Sequence, residues 1–438
     1  MTFFFTCLYA VFVFLRPQEW MFPWMASYEP VNIIAILALA SLVFEILAGF
    51  IKIPERLPHF WLQLGVMLGV IMSHAAHTYL VGIIGASQHY GKRVVFFVLL
   101  VLTVNTLSKV KFLVFLVSVI TVIIAADCYL QSVNGVGFSG AKPLVQAYRE
   151  TESSPVIWMH RPKFYGIFDD PNDTALLFVA VIPLLFAFVP RIMYLLVLPL
   201  AAFLANCILI TDSRGGLLGF GIVFVLSLAS RVKAKYTLFL GIAGIFAITW
   251  AFPLLANRGL IDESSMGRVK FWGEANYYFK SNPIFGVGYG LLGSDYMDKD
   301  RAVHNSFVTV YAEMGLFGYF FWFSVVALAF LGSLYISRMI PEDKMDAELV
   351  RFGRWLTPCL GGYFATAYFL TRAYKLPLIL VVSLAAILYR LVAEKIGYDQ
   401  LNERLHVDVK HVWQWSVLSV SSILFIYFSI LILNKIGS

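Results

Sequence analysis

Charged residues are scarce in this chain. Of its 438 residues, 13% are charged and 60% are hydrophobic, and the mean hydropathy is +0.79. A soluble globular domain is typically about a quarter charged and about half apolar. The chain has too many apolar side chains for one water-soluble core, so lipid is predicted to be its main solvent. Its apolar runs are continuous rather than alternating, which predicts membrane-spanning α-helices.

Cysteine is also sparse, and neither a leader peptide nor an internal repeat is evident. Four cysteines (Cys7, Cys128, Cys207 and Cys359) lie far apart in apolar runs, with no metal-ligand spacing and no disulfide pattern. The first residues, MTFFFTCLYAVFVFLR, lack a basic leader and a small-residue cleavage site, so a retained first helix is expected. The net charge of +7 is modest and indicates loop topology and anionic lipid rather than nucleic acid.

Apolar runs near spanning length predict about thirteen transmembrane helices, since about 20 apolar residues cross a bilayer. The runs fall at 1–15, 31–51, 61–79, 94–108, 112–131, 174–190, 192–211, 215–230, 236–256, 306–337, 355–371, 374–392 and 413–434. The predicted fold class is an all-α polytopic membrane protein with about 12–13 transmembrane helices. Its expected divisions are N-terminal transmembrane helices (1–131), an outer loop (132–173), central transmembrane helices (174–256), a large outer loop with an interfacial helix (257–304) and C-terminal transmembrane helices (305–438).

The distribution of Lys and Arg predicts the orientation. With the N-terminus in the cytoplasm, the short cytoplasmic loops carry sixteen Lys and Arg and the short outer loops carry seven. Cytoplasmic loops are enriched in these residues. The loops 132–173 and 257–304 then both lie outside. The apolar residues of 262–280 recur at helical spacing, and its aromatic residues suit a helix lying in the membrane interface.

Basic side chains gather at this predicted outer face. Arg214 lies in TDSRGG, at a turn where Gly215 and Gly216 allow close backbone approach, while Arg268 opens GRVKFW and His304 begins VHNSF. Further cations are Arg161 and Lys163 in HRPKFYGIFDDPND and Arg372 and Lys375 in TRAYK. A lone arginine at a helix end commonly snorkels to water, but the convergence of several favours an anionic ligand.

The anion expected at an outer bilayer interface is a lipid-linked pyrophosphate, which combines negative charge with an apolar tail. The planar fork of arginine makes two parallel charge-assisted hydrogen bonds to phosphate. A histidine beside such a cluster is the natural general base, because its pKa lies near working pH.

Two other interpretations of these segments remain open. In FDDPND, Asp170 has the character of an N-cap, Pro171 of a first helical residue and Asp173 of a first-turn acid, although Asp169, Asp170 and Asp173 together are also a candidate metal site. A transporter would also bind charged lipids, but it would be expected to carry midplane ionisable groups and repeats. GVGYG, residues 286–290, is interpreted as a loop turn rather than a nucleotide site.

The ordered motifs resemble a known family. FYGIFDDPNDTALLFVAVIPL, TDSRGG, GRVKFWGEANYYFKSNPIFGVGYG and VHNSFVTVYAEMGLFGYFFW, across about residues 160–325, resemble in order and spacing the O-antigen ligase and O-antigen polymerase superfamily. The N-terminal FLRPQEW further resembles the O-glycosylation ligases associated with exosortase systems.

The resemblance implies a glycosyltransferase-C-like helical bundle in the bacterial inner membrane. It implies transfer of a glycan en bloc from undecaprenyl pyrophosphate to an acceptor hydroxyl on lipid A-core, polysaccharide or protein, at the periplasmic side and without metal, nucleotide or other cofactor. Two arginines, here Arg214 and Arg268, would hold the pyrophosphate, and His304 would serve the acceptor. Arg161, Lys163 and Arg372 are further candidates for pyrophosphate binding. Ligase and polymerase differ in the acceptor, and the sequence leaves that choice open.

Overall fold

The computed structural model describes residues 1–148, 155–229, 263–296 and 303–436. The helices in these ranges are α1 Thr2–Phe14, α2 Pro17–Trp20, α3 Pro30–Leu47, α4 Pro58–Ala75, α5 Leu80–Thr103, α6 Leu107–Asn134, α7 Pro171–Leu184, α8 Tyr194–Ile210, α9 Arg214–Ala229, α10 Glu263–Ser281, α11 Ser306–Ser337, α12 Lys344–Ala367, α13 Leu376–Ile396, α14 Tyr398–Arg404 and α15 Val412–Ile436. Two strands, β1 Leu144–Tyr148 and β2 Ile157–Arg161, form an antiparallel hairpin in which Leu144 pairs with Arg161.

Within the described ranges, six helical stretches are long and apolar enough to cross a membrane, and they contain α3, α6, α8, α11, α13 and α15. Helices α1, α7 and α9 are shorter apolar helices. The predicted all-α polytopic fold is therefore confirmed. The predicted run at 236–256 lies outside the described residues.

Two predicted helix starts are wrong. The run expected to begin at residue 355 begins at Lys344, where the helix carries charged residues that an apolar run excludes. The run expected to begin at residue 94 begins at Leu80, so the segment assigned to an outer loop forms the first half of α5. A search for apolar runs did not detect this half of the helix because it contains polar residues, among them His89 and Arg93. These two side chains line a cavity of the protein.

The core consists of helices that are surrounded by other helices. Every residue of α7 from Thr174 to Leu184 is buried, and α13 is 94% buried over its apolar window, whereas α8 and α15 are 22% buried. Helix α12 packs against α7, α9, α11 and α13. Its crossing with α9 is close because Gly219 faces Gly362, where an added Cβ on Gly219 would lie 2.8 Å from the Gly362 carbonyl oxygen. Small residues allow such close packing of membrane helices.

Helix α11 is kinked at Gly315, which was predicted as part of one continuous span. Gly315 has φ 61° and ψ −166°, and the chain on either side of it receives hydrogen bonds from the preceding loop or donates to it. The N–H of Leu316 donates to the Pro283 carbonyl (2.8 Å), and the N–H of Val287 donates to the Ala312 carbonyl (3.0 Å). A β-carbon at Gly315 would meet the Ile284 backbone at 2.3 Å, so the close approach requires glycine.

The helix ends form two groups, which we call the histidine end and the far end. The histidine end contains the turns 161–173, 211–214, 303–306 and 368–375. Helix α11 runs from there to the far end, where Arg56 pairs with Asp399, Lys111 with Glu348 (2.8 Å) and Lys395 with Asp343 (2.8 Å). These far-end pairs join loops that the charge distribution predicts to share one side of the membrane.

Candidate functional site

His304 lies directly before α11 in a strained conformation. Its φ is 51°, in the left-handed region that non-glycine residues seldom adopt. Two neighbours fix the backbone there: the His304 N–H donates to Oγ1 of Thr371 (2.8 Å), and the Asn305 side chain accepts from the N–H groups of Phe307 and Val308. The N-cap of α11 is therefore Asn305. The imidazole of His304 is left for another role.

Burial and three charged residues influence the pKa of His304. Burial, followed by repulsion from Arg268 and Arg372, lowers the pKa of His304 to about 4, and Asp170 opposes this shift. The imidazole is therefore neutral at pH 7, with a ring nitrogen that can accept a proton. Residues from α10, from the turn before α7 and from the turn before α13 thus all influence the pKa of one histidine. The role of His304, Arg268 and Arg372 in binding one anionic ligand stays a prediction.

Arg372 is held by acids at the start of α7. Its Nε donates to Asp173, its Nη2 lies 3.9 Å from Asp170, and its own N–H donates to Oγ of Ser306 (2.9 Å). Asp170 is also the N-cap of α7, accepting from the Asn172 N–H (2.7 Å), as the sequence predicts. The α7 start thus has a second function that capping alone does not reveal, because it balances the charge of Arg372.

Arg161 braces the turn that leads to Arg214. It is 7% exposed, and its Nε donates to the Thr211 carbonyl (2.9 Å), while its Nη1 donates to Gln146 (2.9 Å) and its Nη2 to Asn172 (3.0 Å). The guanidinium therefore joins the β-hairpin, the first turn of α7 and the 211–214 turn. This arrangement suits positioning of the turn more than direct contact with a ligand.

Arg214 is the first residue of α9, directly after that turn. Gly215 approaches the end of α12, with an ideal Cβ 3.5 Å from the Thr366 carbonyl oxygen, and Gly216 approaches α7, with an ideal Cβ 2.8 Å from Cβ of Ala175. The predicted close approach at these glycines is confirmed. It brings the start of α9 to the starts of the neighbouring elements that carry Asp173 and Arg372. The positive end of the α9 dipole adds to the charge of Arg214.

The three acids of the FDDPND motif do not converge as metal ligands would. Lys163 donates to Asp169 (2.6 Å) with the carboxylate largely exposed, whereas Asp173 is directed to Arg372. Within the described ranges, no group of three or more His, Cys, Asp or Glu side chains is placed to hold a metal ion. All four cysteines are buried free thiols.

A cavity of about 1080 Å³ opens beside His304. Val303 and Thr371, which flank and hold the histidine, form part of its wall. Further polar lining residues are His74, His89, Arg93, Tyr289, Glu313, Tyr374 and Lys375. Small-molecule sites are typically about 300–1,000 Å³, so the cavity has room for a substantial ligand.

Aromatic and basic side chains line this cavity together. Tyr289 donates to or accepts from Nδ1 of His89 (2.9 Å), and its ring centroid lies 4.6 Å from that of Tyr374. Nε of Arg93 donates to the Tyr374 carbonyl (3.0 Å). GVGYG, which supplies Tyr289, is a turn with positive φ at Gly286, Gly288 and Gly290, as predicted. Sugars bind well to such surfaces, because tyrosine offers an apolar face beside a polar group.

Helix α10 is anchored to the histidine segment by Trp272. The indole Nε1 donates to the Val303 carbonyl (2.6 Å), and Trp272 is 5% exposed. These contacts are those of a packed residue. The neighbouring Tyr277 is 68% exposed. Helix α10 also packs against α11 and α15, so Arg268 is carried by a helix fixed to the bundle.

The sequence did not reveal the partners that complete this site. Thr371, Asp173 in its contact with Arg372, and the α5 residues His89 and Arg93 were not predicted. The adjacency of Thr371 to Arg372 in TRAYK was an available signal. The α5 residues could have been found from the unusual polar stretch SQHYGKR inside an otherwise apolar region.

Comparison with known families identifies one match. Residues 199–323 match the family described as O-antigen ligase. This segment begins in α8, contains Arg214, Arg268 and His304, and ends in α11. It confirms the predicted resemblance to the O-antigen ligase and polymerase superfamily. No curated protein matches the chain.

Proposed function

We propose, from the match of residues 199–323 to O-antigen ligases, that this membrane protein is a glycosyltransferase of the ligase type. It moves a glycan en bloc from undecaprenyl pyrophosphate to an acceptor hydroxyl at the periplasmic face of the bacterial inner membrane. The observation that carries the proposal is His304, whose pKa is lowered by burial and by Arg268 and Arg372, and whose neighbours Val303 and Thr371 line a large cavity. A base and adjacent cations are what attack on a pyrophosphate-linked sugar needs.

In the proposed reaction, His304 accepts the proton of the acceptor hydroxyl while that oxygen bonds to the anomeric carbon. The bond between the anomeric carbon and the pyrophosphate oxygen breaks, and undecaprenyl pyrophosphate leaves with the electron pair. Attack from the side opposite the leaving group inverts the anomeric configuration. Arg214 and Arg268 stabilise the charge that grows on the pyrophosphate, as preorganised cations do in other transfer reactions. These arginines supply positive charge without a divalent cation.

The remaining basic residues have three different roles in this proposal. Arg161 positions the turn before Arg214, because its donors are directed to protein carbonyl and amide oxygens. Arg372 contributes a field on His304 while Asp173 and Asp170 balance its charge. Lys163, paired with Asp169, assists at the rim of the site.

The cavity beside His304 is the proposed location of the reacting sugar and the acceptor. Its tyrosines offer stacking surfaces, and Arg93 and Lys375 favour a glycan or lipid that carries acidic groups. A growing polysaccharide, lipid A-core and a protein hydroxyl would each be compatible with a general base at His304. A polymerase of the same superfamily is therefore the alternative, and it differs in the acceptor.

The test separates donor binding from chemistry. His304→Ala should retain donor lipid and lose transfer by about 10²–10⁴-fold, because that is the usual contribution of proton removal. Arg214→Ala should weaken donor binding as well as transfer, because a charge-assisted phosphate contact is lost. Donor binding and single-turnover transfer are measured for both variants in nanodiscs, with several acceptors offered. Equal loss of donor binding in the two variants, with chemistry intact in His304→Ala, would remove the general-base assignment.

A further inference from the structure

A second cavity, of about 840 Å³, lies at the far end of the bundle, away from His304. Four basic residues line it, namely Arg191, Lys344, Arg351 and Arg354, against the single acidic lining residue Glu348. Glu348 is itself engaged by Lys111 (2.8 Å) and lies 3.7 Å from Nη2 of Arg351. The nearby Asp343 and Asp346 line a different cavity, where they pair with Lys395. The far-end cavity therefore carries a net positive charge.

Aromatic rings form the firm inner wall of this far-end cavity. Trp355 stacks on Phe186 with ring centroids 5.0 Å apart, and its Nε1 donates to the Tyr194 hydroxyl (3.3 Å). Nε of Arg354 donates to the Ser337 carbonyl (3.1 Å), which fixes the base of that side chain. Arg191 and Lys344, at the opposite rim, are exposed. The cavity thus combines two exposed cations with a preformed wall.

An apolar groove of about 440 Å³ adjoins this cavity along α6, the end of α7 and α8. Its lining is apolar except for Lys111 and Ser118, and it includes Phe115, Val119 and Phe188. Lys111 links the two spaces, because its ammonium pairs with Glu348 of the cavity and lies 5.9 Å from the centroid of Phe188 in the groove. Helices α6 and α8 belong to membrane-crossing stretches, so the groove lies at the depth of lipid tails.

We propose that the far-end cavity and its groove form a binding site for one anionic phospholipid. The headgroup phosphate binds between Arg191, Arg351 and Arg354, and an acyl chain lies in the groove beside Val119. Basic pockets between membrane helices bind anionic lipid headgroups in this manner. The groove favours a phospholipid over a soluble phosphate compound, since a soluble compound leaves the apolar surface uncovered. With the predicted orientation, the lipid comes from the cytoplasmic leaflet. The site is independent of the transfer reaction.

The experiment uses delipidated full-length protein in phosphatidylcholine nanodiscs that contain phosphatidylglycerol, and native mass spectrometry counts the retained lipid. Wild-type protein should retain phosphatidylglycerol over phosphatidylcholine by at least about tenfold. The double charge reversal Arg191→Glu with Lys344→Glu should remove this preference, because both exposed cations are replaced by anions. Lys52→Glu, an exposed far-end position outside the cavity, is the charge control and should retain the preference.

A second pair of variants tests the groove. Val119→Trp fills it without changing the charge and should lower phosphatidylglycerol retention several-fold, whereas Val133→Trp, on an exposed position of the same helix, should not. Glycerol phosphate added at millimolar concentration should fail to displace the lipid. The proposal is overturned if the double reversal has no effect, or if phosphatidylcholine is retained equally. It is also overturned if Val119→Trp is silent while glycerol phosphate competes, since the site would then belong to a soluble anion.

Discussion

Arg161 and Arg372 at the histidine end differ from Arg56 at the far end in their burial and in their partners. At the histidine end, Arg161 and Arg372 are largely buried and bonded to carbonyl oxygens or carboxylates of other elements. At the far end, Arg56 makes an exposed pair with Asp399, with 64% and 79% of the two side chains accessible. Buried cations need partners because desolvation is costly, whereas exposed cations retain their water. A count of basic residues therefore does not distinguish residues that set membrane topology from residues of a binding site unless the burial of each side chain is known.

The largest expected effect concerns which end faces the outside. In intact cells, Lys142→Cys at the histidine end should react fully with an impermeant thiol reagent, and Glu342→Cys at the far end should not react. Both positions are exposed, and the four native cysteines are buried, so background labelling should be low. The reverse pattern would turn the proposed site to the cytoplasm and contradict the periplasmic reaction.

The next effect concerns the geometry of phosphate binding. Arg214→Lys keeps the charge but loses the two-pronged guanidinium, so transfer should fall by about tenfold or more, or over 1.4 kcal/mol of transition-state stabilisation. Arg56→Lys at the far end is the matched control and should transfer normally. Single-turnover rates are compared at equal amounts of inserted protein. Normal turnover in Arg214→Lys would leave snorkelling as the better account of this residue.

A smaller effect distinguishes the two kinds of ion pair. Asp173→Asn removes the partner of a buried arginine and should destabilise the protein by about 3 kcal/mol, because breaking a buried pair leaves an uncompensated charge. Asp399→Asn breaks an exposed pair and should change stability little. Reversible denaturation in a single detergent measures both variants. Equal and small losses would mean that Arg372 is not dependent on Asp173.

The smallest effect is a displacement of the pH profile. The folded pKa of His304, about 4, lies below the ordinary value of about 6.5, so the acid limb of kcat/KM should fall near pH 4. Bound pyrophosphate offsets the positive charge of Arg268. The pKa that the acid limb of kcat reports should therefore rise toward the ordinary value. Stability follows the same direction: the unfolded histidine binds the proton first, so the His304 contribution is present above about pH 6.5 and is lost as the pH falls toward 4. A kcat/KM limb unchanged by His304→Gln would contradict the assignment.

Much of the fold could be predicted from the sequence because lipid imposes long apolar runs. Helices α3, α6, α8, α13 and α15 lie within a few residues of their predicted spans. The start of α5 could not be predicted in the same way, because its polar side chains face a cavity rather than lipid. The kink at Gly315 depends on backbone hydrogen bonds from another segment, which no local pattern reports.

The site was predictable as a set of residues but not as a set of contacts. Charge counting predicts that Arg214, Arg268, His304 and Arg372 lie on one membrane face, and two of them, Arg268 and Arg372, lower the pKa of His304. The pair between Arg372 and Asp173 joins residues 199 positions apart, and only packing of α7 against α12 brings them together. Arg161 showed its bracing role only when the carbonyl of Thr211 was seen to accept from it.

The union of the GVGYG turn with the kinked helix has a consequence for engineering. The N–H of Gly288 donates to the Glu313 carbonyl (3.0 Å), and the N–H of Phe317 donates to the Ile284 carbonyl (3.0 Å). The turn and the helix should therefore be exchanged together, since neither completes its backbone hydrogen bonding without the other. A chimera that imports a foreign outer loop with a crossover between residues 290 and 305 would separate the two halves. Crossovers placed before Asn282 and after Phe317 would keep these backbone hydrogen bonds within one transplanted segment.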